Sequence, residues 1–285
     1  MAQLIQMRNR IKAVQTIKKI THAMRLIAMA KHSQLQDHRG FLEGYKQKIS
    51  SLFIALAHYD TTWKNPLTSP PDTNKHLVII IGSQKGLCGN FNEMLFKYFE
   101  QTYRDNHPHG NYEIIAAGEK AVDYCTREKL HIINEFREFT TQKLGIIAES
   151  IASFIMDENQ NYSTVTIFHN FPRTFFSQKS QATTLLPMPN QHLDAAETSP
   201  HIDFSEYAWE ETPTNILNYL IRIYVQSTIE YALFESLMAE SAARFISMDS
   251  STRNAKDVLE ELELEYNKTR QAKITRELSE LMGSF

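Results

Sequence analysis

The sequence predicts an α/β protein in which the two chain ends form a long antiparallel coiled coil, with a small, mostly parallel, Rossmann-like domain inserted between them. Neither proline nor glycine occurs between Pro213 and Gly283, or before Gly40, so both ends can be helical over long distances. The middle alternates apolar strand-like runs with helical stretches, which is typical of a parallel sheet. We therefore expect a helix over 1–57, an α/β domain over 75–190 and a helix over 208–285.

The C-terminal stretch would be roughly 100 Å long as one helix, at about 1.5 Å per residue. Its apolar positions alternate at spacings of four and three, as in a coiled-coil seam, with an interruption at Glu235. The seam crosses polar Asp249 and Thr252 and resumes three residues out of phase, which predicts local overwinding. Its members are Leu217, Ile221, Tyr224, Thr228, Tyr231, Met238, Ala242, Phe245, Ala255, Leu259, Leu262, Tyr266 and Thr269. Such a seam needs a partner helix.

The N-terminal stretch supplies that partner. Its first seam positions are Leu4, Met7, Ile11 and Val14, and the pattern then continues three residues out of phase at Ile17, Ile20, Met24 and Ile27. This predicts a slip that matches the one in the C-terminal helix. Beyond Gly40 and Gly44 a heptad at Leu42, Tyr45, Ile49, Leu52 and Leu56 predicts a bent or interrupted helix to about residue 57. The proline-rich run 65–72 ends it.

The middle of the chain reads as alternating strands and helices. Strands are predicted over 77–81, 112–117 and 163–171, with an edge strand within 172–187. Helices are predicted over about 91–103, 119–129 and 142–157, and 187–200 is predicted to be a connecting loop. The unbroken apolar run 77–81 favours a strand buried on both faces, as in parallel sheets.

Composition narrows the function. No apolar run approaches the roughly 18 residues of a membrane helix, and the N-terminus begins in a charged amphipathic pattern, which predicts a cytosolic protein. Residues 1–48 contain ten lysines and arginines but only two acidic residues, although the whole chain has a net charge of −3. This basic segment could grip a polyanion or an acidic protein surface. It has no aromatic residue before Phe41, unlike single-strand nucleic-acid binders.

The loop 82–89 is the most suggestive motif, because glycines between a strand and a helix often cradle phosphate. Its spacing does not match: Gly89 is followed by Asn90 and Phe91, not by Lys-Ser/Thr, and no G-x-G-x-x-G pattern occurs here. We expect a tight structural turn. Cys88 and Cys125 form neither a disulfide framework nor a metal site. The sequence offers no candidate for a catalytic residue, a cofactor-binding residue or a metal ligand, so we expect none of these.

Three stretches carry a family resemblance. Residues 19–24 read Lys-Ile-Thr-His-Ala-Met, 86–89 read Gly-Leu-Cys-Gly, and 240–244 with 266–278 include Glu-Ser-Ala-Ala-Arg and Tyr-Asn-Lys-Thr-Arg-Gln. These resemble, in order and along the whole chain, the signatures of the gamma subunit family of F-type ATP synthases. Lys85 stands where that family usually has arginine.

The resemblance implies a non-catalytic rotor shaft, present once per complex and peripheral to the cytoplasmic side of a bacterial inner membrane. Its implied partners are a hexamer of alpha and beta subunits, an epsilon subunit and a ring of c subunits, with no nucleic acid. It implies coupling contacts to beta subunits by Met24, Glu240, Arg244, Arg270, Gln271 and Thr275, and it singles out a loop of the globular domain made of Lys85, Gly86, Leu87, Cys88 and Gly89. Two alternatives remain: a coiled-coil adaptor with an α/β interaction module, and an α/β enzyme that uses loop 82–89.

Overall fold

The computed structural model describes residues 2–60, 63, 75–104, 112–157, 162–187 and 208–282. The chain divides into two compact units, Met1–Lys31 with Arg244–Phe285, and His32–Ala243. We call them the terminal unit and the central unit. The proline-rich run 65–72 and nearly all of the predicted loop 187–200 lie outside the described residues.

Two long helices supply all of the described terminal unit and part of the central one. Helix α1 spans Ala2–Tyr59 and helix α5 spans Pro213–Met282, so the C-terminal helix begins five residues later than the expected start at residue 208. The predicted interruption of α1 at Gly40 and Gly44 is wrong. A glycine inside a helix costs only about 1 kcal/mol relative to alanine, and the buried side chains of Leu35 and Phe53 hold α1 on either side of this stretch.

The seam of α5 follows the predicted spacing. Every seam position from Leu217 to Thr269 is buried or half-buried, and the half-buried carboxylate of Glu235 occupies the interruption. The three-residue slip is confirmed, because Ala255 and Leu262 are buried, whereas Lys256 and Glu263, where an unslipped heptad would continue, are exposed.

The seam of α1 does not slip, so the predicted second phase is wrong. Ile17, Ile20 and Ile27 are 52%, 54% and 67% exposed. The heptad instead runs on unchanged through Thr21 and Ala28, which are both buried. The reason lies in the partner helix, which presents polar side chains at this level and therefore favours polar side chains opposite them.

A polar layer fills the seam of the terminal unit where α5 slips. Thr252 Oγ1 donates to Thr21 Oγ1 at 2.9 Å, and the Arg25 guanidinium donates to Asp249 Oδ1 at 2.6 Å. Arg253 Nη2 reaches the other carboxylate oxygen of Asp249 at 2.6 Å. The Arg25 hydrogen bond lowers the pKa of Asp249. Asp249 and Thr252, which are unfavourable in an apolar seam, therefore form hydrogen bonds with polar side chains of α1.

The helices run antiparallel within each unit, as predicted. In the terminal unit, Arg8 bonds Tyr266 at 2.9 Å, while Arg25, later in α1, meets the earlier Asp249. In the central unit, Lys46 lies 4.5 Å above the Tyr231 ring and Thr214 bonds Asp60 at 2.8 Å. Because Tyr266 lies opposite Arg8, α5 continues beyond the start of α1.

The central unit contains a five-stranded sheet with the order β3-β2-β1-β4-β5. The strands are β1 His76–Ile81, β2 Tyr112–Ala117, β3 Ile132–Phe136, β4 Thr164–Thr174 and β5 Ser177–Leu186, and the helices between them are α2 Phe91–Phe99, α3 Glu119–Arg127 and α4 Leu144–Ile155. A π-helical turn, Glu100–Arg104, extends α2. All pairings are parallel except β4 with β5. The prediction of a mostly parallel sheet with an added edge strand is confirmed.

The sequence analysis did not predict strand β3. It is a short edge strand whose residues are mostly half-buried, and Asn134 and Glu135 interrupt its apolar character. By contrast, β1 lies at the centre of the sheet: Leu77, Ile79 and Ile81 join a core with α4 and α5, and Val78 and Ile80 join one with α2 and α3. Burial on both faces explains the unbroken apolar run.

Leu262→Asp tests the seam of the terminal unit. We expect it to lower the free energy of unfolding by about 3 kcal/mol, because it places a carboxylate where the leucine is only 6% exposed. Leu264→Asp is the matched control, and its effect should stay within about 0.5 kcal/mol. Urea denaturation of both variants measures the difference. Equal midpoints would show that Leu262 does not face a partner.

Candidate functional site

The search for a site begins with metal ligands, membrane spans and reactive cysteines. No group of three or more His, Cys, Asp or Glu residues within them is placed to hold a metal ion. No helix in the described part is long and apolar enough to span a bilayer. Both cysteines are buried, and burial raises the pKa of the Cys125 thiol to about 12, which keeps it protonated and unreactive. The candidate sites described next are a loop at the sheet edge and the surfaces of the terminal unit.

Loop 82–89 is held by its own hydrogen bonds. Ser83 N donates to Asn92 Oδ1 at 2.9 Å, and Asn92 Nδ2 donates back to Ser83 Oγ at 2.8 Å. The same amide lies 3.5 Å from Cys88 Sγ. Gly89 has a φ of 62°, in the left-handed region that favours glycine. These contacts make a closed turn between β1 and α2.

The loop stands where open α/β sheets usually bind ligands. Such sites lie beyond the carboxyl ends of the strands, at the point where the strand order reverses. Here that point is β1, which has β2 on one side and β4 on the other. This chain fills the place with its own helix α5.

Three contacts join α5 to this edge of the sheet. Gln84 N donates to Glu240 Oε2 at 3.4 Å, and Ser236 Oγ donates to the carbonyl of Ile81 at 3.4 Å. A small apolar cluster of Cys88, Phe91, Ala239 and Ala243 packs beside them. A loop N–H that could bind a phosphate is thus given to a carboxylate of the same chain, which argues against the α/β enzyme alternative.

The predicted contact residues fall into separate groups. Glu240 is 2% exposed and lies against loop 82–89 in the central unit. Arg270, Gln271 and Thr275 lie together and exposed near the end of α5, where Thr275 Oγ1 donates to the carbonyl of Gln271 at 3.0 Å. Met24 and Arg244 are half-buried in the terminal unit.

The terminal unit also exposes apolar side chains that the sequence reading assigned elsewhere or left out. They are Ile5, Ile17, Ile20, Leu26, Ile27 and Met29 on α1, and Ile274, Leu278, Leu281 and Met282 on α5, all at least 44% exposed. Exposed apolar patches mark interaction sites. The signal was present in the sequence: α1 carries a second apolar stripe one position before its true seam.

Basic groups flank this surface. Lys18, Lys19 and His22 line a groove with Gln15, and Leu259 of α5 provides an apolar wall. Arg25 Nη2 lies 3.2 Å from His22 Nδ1. The groove therefore combines cationic donors with apolar surface, a composition suited to an acidic protein segment.

The exposed apolar and basic surfaces of the terminal unit are those of a subunit of a larger assembly. The family model described as ATP synthase matches residues 3–285. The ATP synthase gamma chain of Chlorobium phaeobacteroides (strain DSM 266) is 30% identical, over 99% of this chain and 98% of its own. That of Polynucleobacter asymbioticus is 31% identical, over 99% and 98%. This chain belongs to the ATP synthase gamma chain family.

Solved structures agree on the fold. The rotor of the Euglena gracilis mitochondrial ATP synthase matches with a TM-score of 0.68 at 17% identity, over 96% of this chain and 99% of its own. The central stalk and c-ring structure of the Tetrahymena thermophila enzyme matches with a TM-score of 0.56 at 22% identity, over 81% and 98%. At these identities the likeness establishes the fold alone.

Glu240→Leu tests the tie between the loop and α5. We expect it to lower the free energy of unfolding by about 1–3 kcal/mol, because Gln84 N loses its carboxylate acceptor. Glu240→Gln, which keeps an oxygen acceptor, should cost less than half as much. The rate of hydrogen exchange at the backbone N–H of Gln84 measures the strength of its hydrogen bond to Glu240 directly. Equal exchange rates in the two variants would remove Glu240 from this role.

Proposed function

We propose that the terminal unit, Met1–Lys31 with Arg244–Phe285, is the part of this chain that enters the hexamer of alternating alpha and beta subunits. As a gamma chain, this protein is the rotor subunit of ATP synthase. It couples ion translocation to ATP synthesis or hydrolysis, and it is not itself catalytic. The nucleotide sites belong to its partners, so its own task is mechanical.

The observation that carries this proposal is the exposed apolar surface at the end of α5. Ile274, Leu278, Leu281 and Met282 are 49%, 55%, 61% and 81% exposed, in the part of α5 that continues beyond α1. Apolar side chains left in water cost free energy that a surrounding apolar sleeve would recover. A shaft seated in a ring of subunits provides such a sleeve.

The paired helices are suited to carrying torque. Their seam is apolar over most of its length, and the layer of Thr21, Arg25, Asp249 and Thr252 adds directional bonds within the terminal unit. Because α5 slips by three residues while α1 does not, the pair lacks rotational symmetry. An asymmetric shaft presents a different side to each beta subunit as it turns.

Charge supports the choice of partner surface. Lys18, Lys19 and His22 lie in one groove of the terminal unit, and complementary charge steers and orients protein contacts. We propose that acidic segments of the beta subunits face this groove. We also propose Arg270, Gln271 and Thr275, all exposed, as contacts to the moving parts of those subunits.

The central unit has partners of its own in this proposal. We propose that its α/β domain, within residues 75–190, meets the epsilon subunit and the c-ring. This would place the chain peripherally at the cytoplasmic side of a bacterial inner membrane, once per complex. A free-standing coiled-coil adaptor is the alternative function, and it would have no need of alpha and beta subunits.

Co-expression with the cognate alpha and beta subunits tests the function. We expect ATPase activity to appear only when all three chains are present, and to disappear when this chain is left out. The control is the purified chain alone, which should neither bind nor hydrolyse ATP. An alpha–beta mixture that is fully active without this chain would contradict the proposal.

Arg270→Ala combined with Gln271→Leu tests the contact role. Both side chains are exposed, so the terminal unit should keep its stability. Each lost hydrogen bond to a partner should remove about 1–3 kcal/mol from the rotary step that uses it, and the maximal ATPase rate should fall at least tenfold. Gel filtration verifies assembly, and the exposed pair Arg276→Ala with Glu280→Ala is the control. An assembled double variant with the parental rate would refute this role.

A further inference from the structure

In the terminal unit, α1 carries two neighbouring stripes of side chains, and the less apolar stripe is the one that packs against α5. The stripe in the seam consists of Lys18, Thr21, Arg25 and Ala28, all buried or half-buried. The stripe one position earlier consists of Ile17, Ile20, Met24 and Ile27, and its three isoleucines are more than half exposed. Because hydrophobic stabilisation grows with the apolar area removed from water, burial alone would favour the second stripe.

Polar partners on α5 explain why the first stripe is buried. The hydroxyls of Thr21 and Thr252 lie 2.9 Å apart, and the Arg25 guanidinium donates to Asp249 Oδ1 at 2.6 Å. The side chains of Arg25 and Asp249 are 27% and 23% exposed, so both charges are largely withdrawn from water. With Ile20 in the seam, these α5 groups would lose their α1 partners, and a withdrawn charge without its partner is strongly destabilising.

A polar layer of this kind contributes to specificity more than to stability. Replacing a buried charge pair with well-packed apolar side chains is often neutral or stabilising, whereas removing one partner alone is destabilising. In coiled coils, a polar side chain at a seam position fixes the register at a cost in stability. The layer of Thr21, Arg25, Asp249 and Thr252 has the composition and the position of such a device.

We propose that α1 can pack against α5 by either of two faces, and that this polar layer selects the face with Thr21 and Arg25 in the seam. In the second packing, Ile17, Ile20 and Met24 occupy the seam instead. The layer acts within the terminal unit and requires no partner subunit. It keeps Ile17 and Ile20 at the surface, although they are more apolar than the side chains that they would replace.

The second packing needs only a local change in α1. Val14 and Ile17 are three residues apart, a spacing that overwinds a coiled coil locally, and α5 already contains a slip of the same size in this unit. Met24 and Ala28 are four residues apart, so α1 returns to its observed phase at Ala28. The seam residues on either side of 17–24 therefore keep their places in both packings.

Removing the α5 half of the layer tests the selection. Asp249→Leu with Thr252→Leu leaves Thr21 and Arg25 without these partners, so α1 should turn and place position 20 in the seam. The reporter is Ile20→Cys, because cysteine is itself a small hydrophobe and Ile20 is 54% exposed in the observed packing. Alkylation of the full-length chain by iodoacetamide should be at least about tenfold slower in the α5 variant, because a buried thiol reacts only during local opening.

Ala28→Cys is the matched reporter for unfolding. Ala28 is 3% exposed and keeps its place in both packings, so this thiol should react slowly in the parent and in the α5 variant. Each chain without an added cysteine gives the background rate, which should be low because Cys88 and Cys125 are buried. Fast alkylation at both position 20 and position 28 would show that the α5 variant unfolds instead of repacking, and it would overturn the proposal.

Adding Thr21→Leu and Arg25→Leu to the α5 variant completes the test. The observed face is then apolar and needs no slip in α1, so the thiol at position 20 should again react at the parental rate. This chain with four leucines should also unfold at the parental temperature or above it, because no charge is left unpaired in the layer. The proposal is overturned if the α5 variant reacts at the parental rate at position 20, or if the four leucines do not restore that rate.

Discussion

The mutual burial of α1 and α5 is the interaction on which the rest of this structure depends. Neither helix could remain ordered in water alone, since isolated helices gain little stability from propensity and depend on an apolar face being covered. In the central unit, α5 is covered by the sheet as well as by α1, and Leu233, Phe234 and Leu237 are fully buried. In the terminal unit the two helices have only each other among the described elements, and apolar stripes stay exposed. The same two helices are thus part of a fully buried core in the central unit, whereas in the terminal unit they leave apolar side chains exposed to solvent.

The sheet depends on α5 in turn. Strand β1 is buried on both faces, and Leu77, Ile79 and Ile81 share their core with α5. At the carboxyl end of β1 the loop, Glu240 and the small residues Ala239 and Ala243 complete the contact. Small side chains on α5 let the loop approach closely, and the Glu240 carboxylate accepts a hydrogen bond from the backbone N–H of Gln84. Packing and polar satisfaction therefore act at the same place.

The sequence allowed much of the fold to be predicted, and the failures have physical causes. Strands β1 and β2 were placed within one residue, because their apolar runs begin and end sharply. The start of α5 follows from Pro213, which is tolerated in the first turn of a helix. Strand β3 was missed because an edge strand buries little and needs no clear pattern. The seam of α1 was misread because Ile17, Ile20 and Ile27 are more apolar than the true seam residues Thr21 and Arg25, whose partners only the fold brings together. Glu240 could be singled out by resemblance, but its burial against the loop depends on a contact 156 positions distant in sequence.

The carboxylate of Glu240 has a consequence for how this subunit coexists with its substrate-bearing neighbours. A group carried on the same chain competes with any dissolved ligand at a high effective concentration, and it cannot diffuse away. A phosphate approaching Gln84 would have to displace both that carboxylate and the buried side chains that hold α5 in place. Glu240 thus already occupies the part of this fold that most resembles a nucleotide-binding site, loop 82–89. A rotor subunit works among ATP, ADP and phosphate. The negative charge of Glu240 occupies the place at Gln84 where one of their phosphate groups could otherwise bind.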